Sequence, residues 1–128
     1  MTSQILVAED DPLTLRMIEK TLTQSGFEVT TTLNGDDAIT LGTAQQYDLV
    51  ITDIQMPGTE GIEVISAILE EMPDTKFIAI SSLGRTGFTS FLKIAEAVGA
   101  QNTLKKPFTP QDLLEAVKTS GIKKPHPK

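Results

Sequence analysis

Five short apolar runs alternate with five stretches of helical periodicity, and no other feature narrows the fold as far. Ile5-Leu6-Val7-Ala8, Phe27-Glu28-Val29-Thr30, Leu49-Val50-Ile51, Lys76-Phe77-Ile78-Ala79-Ile80 and Gln101 to Leu104 have the length and residue types of strands. The intervening stretches place apolar residues three and four apart: Leu15, Ile18 and Leu22, then Ile65, Ile68, Leu69 and Met72, then Phe88, Phe91, Leu92, Ala95 and Val98. Strict alternation predicts an α/β fold, a doubly wound five-stranded parallel sheet with helices on both faces. Leu49-Val50-Ile51 is apolar throughout, as suits a strand covered on both sides, whereas Phe27 to Thr30 alternates and suits an edge.

Helix boundaries are marked by capping chemistry. Asp11-Pro12 supplies an N-cap and a first-turn proline, and Gly26 closes that helix. Asn34-Gly35-Asp36-Asp37 starts a second helix that should reach Gln46, although Gly42 and several threonines weaken it. Gly61 opens a third and Pro73 stops it. Thr109-Pro110-Gln111-Asp112 reads as a variant capping box, with Phe108 and Leu113 placed for a hydrophobic staple. Residues 1–121 are expected to form one domain, and residues 122–128 a mobile, basic, proline-containing tail that carries His126, the only histidine.

The bulk numbers remove several function classes. A formal net charge of −6 argues against direct nucleic-acid binding, which needs a basic face. Absence of cysteine removes disulfides, thiolate metal sites and thiol nucleophiles. The N-terminus lacks the pattern of a signal peptide, and no apolar run has the length of a membrane span. A cytoplasmic protein without a membrane partner is the expectation.

Chemistry gathers where the strands end. Glu9, Asp10 and Asp11 follow the first strand, Asp53 ends the third, Ser81-Ser82 end the fourth, and Lys105-Lys106 follow the fifth. In an open parallel sheet these carboxyl ends share one edge, the usual place for ligands. Asp11 is accounted for as a cap. Each of the others has an ordinary reading alone: a loop cap, a loop hydroxyl, a solvated charge. Three carboxylates held together repel one another and call for a hard cation, and Mg²⁺ favours oxygen ligands of this kind. A hydroxyl and an ammonium beside them suit a phosphoryl group, whose oxygens need donors and positive charge.

From about Ile5 to Val117 the chain resembles a response-regulator receiver domain. The likeness lies in Ile5-Leu6-Val7-Ala8-Glu9-Asp10-Asp11-Pro12, Asp53-Ile54-Gln55-Met56-Pro57-Gly58 with Gly61, Ser81-Ser82, and Lys106-Pro107-Phe108-Thr109. The resemblance implies the flavodoxin-like strand order 2-1-3-4-5. It implies that Asp53 is the phosphoacceptor, taking its phosphoryl group from a sensor histidine kinase or a histidine phosphotransfer protein and signalling to a downstream protein target. Mg²⁺ would be bound by Asp10, Asp53 and the main-chain carbonyl of Gln55, with Glu9 acting through water. Ser81 would donate to the phosphoryl group and Lys106 would pair with it. The Lys106-Pro107 bond is commonly cis in this family. No enzymatic activity is implied beyond self-phosphorylation and autodephosphorylation.

Two departures stand out. Receivers usually carry an aromatic residue three positions before the lysine, where this chain has Thr103. The segment between Ser81 and Lys106 is also longer than usual by roughly one helical turn. The extra residues are placed in Leu83 to Thr89, which with the start of the next helix is expected to carry the output change. A Mg²⁺-dependent phosphatase of the haloacid dehalogenase type would want an acid two residues after the nucleophile, where Gln55 stands, and a cap for which there is no room. A degenerate receiver acting as a constitutive interaction module is opposed by the intact acids and Lys106. A piece of a longer regulator or hybrid kinase would read the same.

Overall fold

The computed structural model describes residues 3–55, 61–81, 99–100 and 102–122. The Met56-Pro57-Gly58 turn, the Leu83–Thr89 segment, the helix expected over Phe88–Val98 and residues 123–128 lie outside them. The order is β1 (Gln4–Ala8), α1 (Pro12–Gln24), β2 (Glu28–Thr32), α2 (Gly35–Ala44), β3 (Leu49–Asp53), α3 (Gly61–Glu71), β4 (Lys76–Ser81), β5 (Asn102–Lys105) and α4 (Pro110–Thr119). All four strand pairings are parallel, and the sheet order is β2-β1-β3-β4-β5. The order reverses between β1 and β3, which opens a crevice beyond their carboxyl ends.

Side-chain alternation divides the core into two layers. Ile5, Val7, Leu49, Ile51, Ile78 and Ile80 face one way and pack with Leu15, Ile18 and Leu22 of α1 and Leu113, Ala116 and Val117 of α4. Leu6, Ala8, Val50, Phe77 and Ala79 face the other way and meet Ala38 of α2 and Val64, Ile65 and Ile68 of α3. Both faces of the central strands are therefore covered, as their unbroken apolar character requires. Ile122, assigned above to the tail, packs against the first layer. Among the described residues no helix is long and apolar enough to cross a membrane.

The caps stand where the sequence places them. Asp11 caps α1 through the amide of Thr14, and Gly26 takes a positive φ of 97° just after the helix. Thr109 and Asp112 form the reciprocal capping box of α4, each side chain accepting the other's amide at 3.0 Å. Several strand ends shift by one residue, and two boundaries shift by two. β2 continues to Thr32 because Thr31 and Thr32 pair with Val7 and Ala8 of β1, and threonine is at home in strands. α2 ends at Ala44, short of Gln46.

Gly42, which weakens α2 as an isolated helix, is explained by packing. A Cβ there would collide with Cδ1 of Ile68 and lie 2.8 Å from its Cγ1. The missing side chain sets how closely α2 and α3 approach. Gly42→Ala is expected to lower the unfolding free energy by about 1–2 kcal/mol despite the better helix propensity of alanine. Adding Ile68→Val, which removes the obstructing methyl, should recover part of the loss in a urea double-mutant cycle.

Candidate functional site

Four strands deliver the site's residues to one edge. Glu9 follows β1 directly, and its amide still bonds the Thr32 carbonyl at 3.1 Å, so its backbone continues the β1–β2 ladder. Its side chain is wholly buried while Asp10, one residue on, is exposed. Asp53 is the last residue of β3 and only 2% exposed. Ser81 ends β4, is buried, and stands opposite Lys105 in the β4–β5 register. The Lys106 amide donates to the Ser81 carbonyl at 2.7 Å, which extends that ladder by one step before the cis Lys106-Pro107 bond.

From β5 the Lys106 side chain reaches over the end of β4. Its ammonium lies 2.8 Å from Asp53 Oδ2, and 2.9 and 3.0 Å from Glu9 Oε1 and Oε2. The other Asp53 oxygen, Oδ1, accepts the Gln55 main-chain N–H at 2.8 Å. Both oxygens of this carboxylate are thus held. Glu9 Oε2 also accepts the Asp11 amide at 3.0 Å, which ties the start of α1 to the pocket. Glu9 Oε1 is close to the ammonium but badly aligned for it, and among the described residues this buried atom has no hydrogen-bond partner.

These charges act on one another. Burial pushes the Glu9 carboxyl up from 4.5 to about 7, against the Asp11 amide and Lys106, and the charge of Asp53 adds to the rise. Burial alone would lower Lys106, but its bonds to Asp53 and Glu9 outweigh this and raise it. One oxygen from each of Glu9, Asp10 and Asp53 can be chosen so that all lie within 4.8 Å of one another. Three carboxylates that can converge, only two of them paired with the Lys106 ammonium, and a buried Glu9 oxygen that accepts no hydrogen bond among the described residues fit a hard divalent cation such as Mg²⁺.

The structure therefore brings together Glu9, Asp10, Asp53 and Lys106, and puts Ser81 and Gln55 beside them. Asp11 is a helix cap, as read from the sequence. The bridge from Lys106 to both Glu9 and Asp53 is invisible to sequence reasoning, since it depends on strand order and not on any local pattern. Gly61 carries more than a helix start. A Cβ there would collide with the Asp53 carbonyl oxygen and lie 2.6 Å from the Ile54 Cα, so α3 can begin against the Asp53 backbone only with glycine. Thr103 is half-buried in β5 and borders a surface cavity of about 320 Å³ with Lys105, Phe108 and Glu115.

Residues 5–118 match the family model described as the response regulator receiver domain. The chain is 33% identical over 116 residues to the transcriptional regulatory protein ResD of Bacillus subtilis, covering 91% of this chain and 47% of ResD. It is 31% identical over 115 residues to a probable chemotaxis protein CheY of Rhizobium etli, covering 89% of this chain and 88% of CheY. Among solved structures, the response regulator protein TrrA of Thermotoga maritima in complex with Mg²⁺–BeF superposes with a TM-score of 0.79 at 30% identity. That match covers 93% of this chain and 99% of TrrA. The chain thus spans about half the length of ResD and most of CheY and TrrA.

A pH dependence follows from Glu9. Its folded pKa lies above its ordinary value, so folding favours the protonated carboxyl. The associated stability is complete below 4.5 and is lost as the pH rises through about 7. Glu9→Gln stays neutral throughout. In EDTA, urea unfolding should show the wild type losing about 1–3 kcal/mol relative to this variant across that window. A constant difference between the two would remove burial as the governing influence on Glu9.

Proposed function

The chain belongs to the response-regulator receiver family, and on that premise we propose that it is a phosphorylation switch with Asp53 as phosphoacceptor. The donor is the phosphohistidine of a sensor histidine kinase or a histidine phosphotransfer protein. The observation that carries this reading is the buried Asp53 carboxylate held by the Lys106 ammonium at 2.8 Å, beside Glu9 and Asp10. An Asp53 oxygen forms a bond to phosphorus as the donor's N–P bond breaks. The electron pair returns to the imidazole nitrogen, which takes up a proton, and an acyl phosphate is left on Asp53.

The chain's own groups divide the work. The Gln55 amide fixes Oδ1 and Lys106 fixes Oδ2, so the carboxylate is oriented before the donor arrives. As charge accumulates on the phosphoryl oxygens, Lys106 pairs with them and the Ser81 hydroxyl donates to them. Asp10, Asp53 and the main-chain carbonyl of Gln55 would hold Mg²⁺, with Glu9 acting through water. When bound there, the ion would supply charge neutralisation for the transfer. The Mg²⁺–BeF complex of TrrA supports the same ion here. Beyond self-phosphorylation and autodephosphorylation the chain catalyses nothing further. It signals from the cytoplasm through a changed surface that a downstream protein reads.

Incubation with acetyl phosphate and Mg²⁺ should add one phosphoryl group by intact mass, and Asp53→Asn should add none. Ser81→Ala is expected to slow the gain by about tenfold or more. A phosphoryl group retained by Asp53→Asn would move the acceptor elsewhere. No gain in the wild type, with no Mg²⁺ binding by calorimetry, would favour a degenerate receiver.

A further inference from the structure

Thr52 is the one hydroxyl in a strand otherwise built of Leu49, Val50, Ile51 and the terminal Asp53. It is fully buried and pairs in register with two alanines, Ala8 and Ala79. Packing gives no reason for a hydroxyl here: valine has the same branching, favours strands, and brings no buried polar atom. The hydroxyl has a definite partner, donating to the main-chain carbonyl of Asp53 at 3.1 Å.

Strand alternation sends Thr52 to the α2–α3 face and Asp53 to the opposite one. Gly61, first residue of α3, meets the same Asp53 carbonyl so closely that a Cβ would collide with it. The peptide joining Asp53 to Ile54 is therefore held at its N–H by the Ile80 carbonyl at 2.9 Å, bonded at its carbonyl by Thr52, and abutted by Gly61. One residue on, the Gln55 N–H returns to Asp53 Oδ1 at 2.8 Å. Rotation of the Asp53–Ile54 peptide would swing the following backbone, move that N–H, and release the carboxylate.

The geometry points to Thr52 as a positioning residue: from the far side of the sheet its hydroxyl holds the carbonyl side of the Asp53–Ile54 peptide, which the ladder bond to Ile80 holds at its N–H, and through the Gln55 amide it sets the Asp53 carboxylate. Thr52 touches neither phosphoryl group nor metal. This inference rests on Asp53 being the acceptor, and it adds a residue that the strand-end pattern does not reveal. Outer groups that orient a ligand or nucleophile typically change affinity or rate by about 10–100-fold when removed.

The test compares wild type, Thr52→Val and Thr52→Ser in three measurements: phosphorylation rate with saturating acetyl phosphate, Mg²⁺ affinity by calorimetry, and Gln55 amide exchange by NMR. Thr52→Val should slow phosphorylation by about tenfold at saturating donor, weaken Mg²⁺ binding several-fold and speed Gln55 exchange, while the global unfolding midpoint stays close to wild type. Thr52→Ser, which keeps the hydroxyl, should return all three to within about twofold. Wild-type values in Thr52→Val overturn the proposal, and so does faster Gln55 exchange with unchanged rate and affinity. A loss shared by Thr52→Ser and Thr52→Val assigns the effect to packing and also overturns it. If the wild type accepts no phosphoryl group, the acceptor reading fails instead, and Gln55 exchange with Mg²⁺ affinity still decides for or against the clamp.

Discussion

Three strands end on charge that cannot disperse. β1 delivers Glu9, β3 delivers Asp53, and Lys106 arrives after β5 to stand between them. Two carboxylates this well buried repel each other and lose their hydration, so the ammonium is the condition under which the ends of β1 and β3 can lie side by side. The pairing is incomplete, because Glu9 Oε1 has no hydrogen-bond partner among the described residues. A pocket so arranged is held in shape yet left wanting positive charge. Such an arrangement favours a cation over an anion.

The rest of the fold serves this edge by keeping the strands in register from both sides. α1 and α4 cover one face with Leu15, Ile18, Leu22, Leu113 and Val117, and α2 and α3 cover the other. Two glycines control the closeness of the second cover. Gly42 lets α2 settle on Ile68, and Gly61 brings α3 against the backbone of Asp53. The helix with the weakest sequence pattern is held by contact and not by propensity, as is usual for helices in folded proteins.

Much of this is legible in the amino-acid order. Glu9, Asp10, Asp53, Ser81 and Lys106 can be placed on one edge because each follows an apolar run, and Asp11 and Thr109 declare themselves as caps by the residues after them. What escapes depends on distances through space. Burial of Glu9 beside an exposed Asp10 is decided by the twist of one residue at a strand end. The Lys106 bridge depends on sheet order, which local periodicity does not encode. The threonines that lengthen β2 carry no apolar alternation to mark them, and the partner of Thr52 is a carbonyl, which has no letter in the sequence.

The hydrogen bond from the Lys106 amide to the Ser81 carbonyl has a reach of its own. It continues a ladder in which Ser81 stands opposite Lys105, so the hydroxyl and the ammonium are spaced by the sheet and not by the chain that runs between them. Insertions between these two points need not disturb either group, because both ends stay moored to neighbouring strands. The stretch from 82 to 101 can therefore lengthen without moving either group out of place. Under the proposed function, signalling identity and phosphoryl chemistry would be separately evolvable properties of one small domain.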